Sequence, residues 1–212
     1  MIADAALMTF VATLFSMTNP IGNLGIFAGL TAERTPAEAR RVALNCGVAV
    51  AVTLLVVTWT GSAILAFFGI SVPALRTAGG LIVLLIGLHM LFNKAQHKHS
   101  PDELADAQTR SAIAVVPLAI PIVAGPGAMT AVLVAVQQHS AVLDRIEISV
   151  VDVAMAVLIG LLFSVAGPLS RRIGESGMGV VTRVMGMLLA AIAMGMLADG
   201  LKVLLPGLAH AG

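Results

Sequence analysis

Charge is what this sequence has least of. Only 11% of its 212 residues are Asp, Glu, Lys or Arg, against 58% hydrophobic, and the mean hydropathy is +1.01. A water-soluble core cannot bury that much apolar surface, so the composition excludes an ordinary soluble domain and predicts an integral membrane protein. Cysteine is nearly missing too. The single Cys46 excludes an internal disulfide and a cysteine-based metal cluster, and it reads as a small buried apolar residue. No H-E-x-x-H, G-x-S-x-G or P-loop motif occurs, so the chain carries no enzyme signature. His97 and His99 flank Lys98 in a charged stretch with no acidic or cysteine partner at useful spacing, which reads as solvated loop rather than metal site. No cofactor, metal or nucleic-acid partner is expected.

What is there is apolar and helical. Charge-free runs cover 42–75, 111–143, 153–170 and 184–198, and a span needs about 20 mostly apolar residues. With the first thirty residues and the segment after Pro73 they predict six helices, near 4–31, 36–69, 73–93, 111–137, 147–168 and 178–205. The N-terminus has neither a basic region nor a clear small-residue cleavage site, so it reads as a retained first span. Thr35-Pro36-Ala37-Glu38 and Ser100-Pro101-Asp102-Glu103 both have the form of a capping box with proline in the first turn. Arg34, Arg40, Arg41, Lys94, Lys98, Arg110, Arg171 and Arg172 concentrate after spans one, three and five, which puts those loops in the cytoplasm and both termini outside it.

The segment 94–110 is polar enough to be a linker, and it divides the chain into repeats at 1–93 and 111–212. A shift of about 106 residues carries Pro20 to Pro126 and, with a one-residue slip, Arg76, Gly79 and Leu81 to Arg183, Gly186 and Leu188. Three spans per repeat is an odd number, so the second repeat runs inverted to the first. The fold class expected is therefore an all-α integral membrane protein of six transmembrane helices, two inverted three-helix repeats with spans one and four broken.

The breaks are MTNPIGNLG at 17–25 and AIPIVAGPGAMT at 119–130. Proline in a helix interior costs ~3 kcal/mol and glycine about 1. Loose backbone at membrane depth is tolerated where protein buries it or a wet cavity receives it. A half-helix starting after each proline would offer free amides at a positive dipole end, around Gly22 and Asn23 and around Gly127, Ala128 and Met129, suited to a carboxylate. Asn19, Asn23 and Thr130 add side-chain donors and acceptors, and the upstream carbonyls suit an ammonium group. A small zwitterion matches both. The competing reading is a pair of proline kinks that only shape packing.

Asn19-Pro20-Ile21-Gly22 in span one and Pro121-Ile122-Val123-Ala124-Gly125-Pro126-Gly127 in span four give the chain its resemblance to a known family. It resembles the MarC family of bacterial inner-membrane proteins, also called the SnatA or small neutral amino acid transporter family, and more distantly the LysE-type exporters. The resemblance implies a multi-pass protein of the bacterial inner membrane, with the lipid bilayer and a small-molecule substrate as partners. It implies movement of glycine, alanine or similar amino acids, and carries over as site residues Asn19, Pro20, Gly22, Gly125, Pro126, Gly127 and Thr130. A small-solute channel with aquaporin-like inverted half-helices is the main alternative; a membrane enzyme would need a convergent polar cluster that the sequence lacks.

Asp152 and Asp199 are the candidates for a coupling proton; wetted helix ends are the competing reading, since both are expected to be shallow. Arg76 and Arg183 are expected to snorkel or pair with carboxylates. Gly25 with Gly29, and Gly79 with Gly80, let helices approach closely, within one chain or in a homo-oligomer.

Overall fold

Helices appear where the chain has runs of apolar residues ended by proline, glycine or polar turns. The computed structural model describes residue 2 and residues 4–32, 34–92 and 123–207. Among the described residues there are seven helices and no strand: α1 Asp4–Thr18, α2 Leu24–Leu30, α3 Pro36–Phe68, α4 Val72–Phe92, α5 Pro126–Gln138, α6 Val142–Ser164 and α7 Ala166–Leu204. The linker 94–110, its capping box at Ser100 and the prolines Pro117 and Pro121 lie outside the described residues.

Thr35 starts α3 as its sequence predicts. Its hydroxyl accepts from the Glu38 amide at 3.3 Å, and the Glu38 carboxylate accepts from the Thr35 amide at 2.9 Å. Gly69 ends the helix in the left-handed region at φ 65°, where glycine carries no steric penalty. Between these caps, 33 residues rise about 50 Å, more than a hydrocarbon core of about 30 Å. α3, α4, α6 and the Ser176–Leu204 part of α7 are each long and apolar enough to cross a membrane. On α3, Leu44, Val48, Val52 and Val56 are exposed while Ala43, Val50 and Leu54 are buried, so both faces are apolar.

The break expected in span one is present, while the bounds of the last two spans differ from the sequence reading. Span one is two helices separated by a turn, and the described part of span four is the 13-residue α5. α6 begins at Val142, not near 147, because Asp144, Arg145 and Glu147 form its first turns rather than a loop. It ends at Ser164, and Pro168 falls in the first turn of α7, where a missing amide costs nothing. α7 opens with an arm that the sequence reading left as loop; it turns at Gly174 (φ 73°, ψ 169°) into the long final helix.

α4 packs most extensively on α7, α3 on α6, and α1 on α5. Small residues allow these approaches: a methyl on Gly87 or Gly186 would come within 2.9 Å of the facing backbone, as would one on Gly47 against the Ala156 carbonyl. Gly79 closes on Thr130. Gly29, expected at a close helix contact, instead faces open space.

Candidate functional site

The first break is a turn that satisfies itself. Asn19 stands in the left-handed region at φ 44°, which asparagine tolerates better than other side chains. Its side-chain oxygen accepts from the Gly22 amide at 3.1 Å and its carbonyl accepts from the Asn23 amide at 3.1 Å. Asn23 returns its side-chain amide to the Thr18 carbonyl at 3.0 Å, closing the end of α1. The Gly22 and Asn23 amides, expected to be free for a carboxylate, are therefore engaged, because an asparagine at position 19 reaches them first. Pro20 has no amide, so the Ser16 carbonyl lacks the donor that would continue α1. The whole turn is deep: Thr18, Asn19 and Asn23 are at most 5% exposed. Asn19 also donates to the Met90 sulfur at 3.6 Å, a weak acceptor.

The second break is built the other way. Gly125 is extended (φ −73°, ψ −176°), Pro126 opens α5, and among the described residues no side chain caps the helix. The Met129 amide, expected to be free, donates to the Gly125 carbonyl at 3.0 Å as the first bond of the helix. Among the described residues that leaves Gly127 and Ala128 as the donors at the positive end of α5. Thr130 donates its hydroxyl to the Pro126 carbonyl at 2.7 Å. Gly127 brings the two breaks together: a methyl there would sit 2.9 Å from the Met17 sulfur and overlap Val83.

Two cavities lie on either side of this layer. One, of about 510 Å³, is lined by Thr9, Phe10 and Thr13 of α1, Arg76, Asp199 and, at its floor, Thr130. The other, of about 750 Å³, lies beyond the break, lined by Phe27, Gly29, Arg34, Phe163, Ser164 and Arg171. Phe27 and Phe163 stack there with centroids 4.7 Å apart, tying α2 to α6.

Arg76 lies 3.6 Å from Asp199 in the first cavity, with side chains 24% and 60% exposed. The pairing expected of Arg76 is thus present, and Asp199 is the more exposed partner. Arg183 is exposed on α7. Asp152 is not shallow. It is the eleventh of the 23 residues of α6, is fully buried, and accepts from the Thr58 hydroxyl at 2.7 Å. Sequence reasoning placed it too near the surface because the charged first turns of α6 were read as loop.

Met17, Val83, Met90 and Thr58 were not singled out from the sequence. Each is an ordinary residue of an apolar helix, and only contacts from distant segments give it a place beside a break or a carboxylate. The i, i+4 step from Leu54 to Thr58 along the buried face of α3 was the one available signal for Thr58.

A family model described as MarC family integral membrane protein matches residues 5–205. The UPF0056 membrane protein YhcE of Escherichia coli is 33% identical over 94% of this chain and 93% of its own length. YvbG of Bacillus subtilis is 35% identical over 92% and 93%, and MJ1677 of Methanocaldococcus jannaschii 35% over 90% and 93%. No solved structure matches.

Proposed function

The chain belongs to the MarC family of integral membrane proteins, and on that premise we propose that it is a secondary transporter of small neutral amino acids such as glycine and alanine. The observation that carries the reading is the contact between Met17 and Gly127, which sets the C-terminal pole of α1 against the uncapped N-terminal pole of α5. In this reading a zwitterion bridges them, with its carboxylate on the Gly127 and Ala128 amides and its ammonium toward the Ser16 carbonyl. Thr130 and the Asn19 side-chain amide are polar contacts; Pro20, Gly22, Asn23, Gly125, Pro126 and Met129 shape the two half-helix ends. This reading moves the carboxylate from both breaks to the second alone.

Six spans in two inverted repeats, in a bacterial inner membrane with both termini outside the cytoplasm, complete the proposal. The helix pairing supports it, since span three packs most extensively on span six and span two on span five. The contact of Gly80 with Leu197 has a counterpart in that of Gly186 with Met90, and a shift of about 107 residues relates them to within one position. The buried layer between the two cavities supports alternating access over an open channel. Flux of labelled glycine and alanine into liposomes holding the purified protein tests the function. Saturable flux is expected; none in either direction, with or without a pH gradient, overturns it, and fast non-saturating flux would make it a channel.

A further inference from the structure

Among the described residues, Asp152 is a fully buried carboxylate whose bonding is incomplete. Its Oδ2 accepts from Thr58, while Oδ1 is buried with no hydrogen-bond partner. An ionised carboxylate in that position is costly unless cations or several donors surround it. Among the described residues, the helices packed on α6 bring no charge near it. α3 has no charged side chain from Val42 to Phe68, α2 and α5 have none at all, and α1 has only Asp4. α7 leaves α6 across Val165, and Arg171 and Arg172 are its first charges, more than four helical turns along the chain from Asp152.

On α6 itself Asp144, Arg145 and Glu147 lie in the first turns. Arg145 stands two turns before Asp152 and donates to the Thr58 carbonyl at 3.5 Å, so it reaches the residue that holds the carboxylate. A hard metal cation would need several oxygen ligands. The carbonyls of a continuous helix are spent on its own hydrogen bonds, and neither cavity includes Asp152 in its lining. A proton needs only the free oxygen.

We infer that Asp152 and Thr58 form a buried proton-binding site between α3 and α6. Oδ1 takes a proton from water and the carboxylate becomes a neutral acid; release returns the proton, and no other bond changes. Arg145 is the counter-charge for the ionised form. Occupancy thus switches the charge state of the α3–α6 contact, where Gly47 meets Ala156. Proton binding itself is independent of the transporter reading; the further role as coupling site rests on it.

Infrared difference spectra of the purified full chain across pH about 4 to 9 should show a protonated-carboxyl band that Asp152→Asn removes and Thr58→Val shifts. A spectrum unchanged in D152N, or a titration that follows sodium instead of pH, overturns the site. If D152N does not fold, T58V alone decides: it keeps the carboxyl and must move the band. In liposomes, D152N should lose pH-gradient-driven accumulation of alanine at least tenfold while keeping alanine exchange. Retained gradient-driven accumulation overturns the coupling role. A band lost in D152N with no alanine flux even in the wild type overturns the transporter reading and leaves the proton site standing.

Discussion

At the first break Asn19 gives its side chain to Gly22 and its carbonyl to Asn23, whereas at the second break Gly125 offers no side chain to Gly127 or Ala128. Both stretches combine proline and glycine, and by sequence alone both promise the same open amides. The difference lies in the residue before each proline. An asparagine can enter the left-handed region and reach forward to cap the turn; a glycine in extended backbone cannot. One break therefore closes its N-terminal end and leaves the Ser16 carbonyl; the other leaves an amide pole. Similar disruptions yield opposite charges, which suits a ligand that carries both.

The comparison can be broken most forcefully at Asn19. Asn19→Ala strands the buried Gly22 amide and places alanine in the left-handed region, at an expected cost of about 2–4 kcal/mol. Asn19→Gly should recover about 1 kcal/mol of that by relieving the backbone alone. Reversible denaturation in mixed micelles would measure both, and equal stability of N19A and wild type would refute the self-capped turn.

Next is Gly127→Ala, which drives a methyl into Met17 and Val83 at about 1–3 kcal/mol and closes the junction between the breaks. Glycine flux should fall far more than folded yield. Flux that tracks yield one for one would separate Gly127 from the site.

Pro20→Ala should cost at most about 1 kcal/mol, because Asn19 rather than Pro20 holds the turn. A larger loss in the same denaturation experiment would return that role to the proline. The smallest stability effect, about 0.5 kcal/mol or less, is expected for Thr130→Val, whose hydroxyl bonds to the Pro126 carbonyl within α5. Its readout is KM for alanine, which should rise if the hydroxyl meets substrate at the cavity floor.

Much of the fold was legible because membrane helices declare themselves by composition. The capping box at Thr35 and the stop at Gly69 were both readable, since each depends on residues a few positions apart. The start of α6 and the arm before Gly174 were not: a charged or proline-bearing turn reads as loop until packing shows the helix continuing through it. For the site, the breaks themselves were legible, while which amides they leave open was not.

By itself the sequence determined the membrane class, the long apolar helices and the positions of the two interruptions, because hydrophobic burial and missing proline amides act locally along the chain. Tertiary structure alone decided that Met17 meets Gly127, that Thr58 holds Asp152, and that Asp199 stands beside Arg76. Those outcomes depend on which helix faces which and at what depth. That is set by side-chain packing between distant segments, which no local pattern encodes.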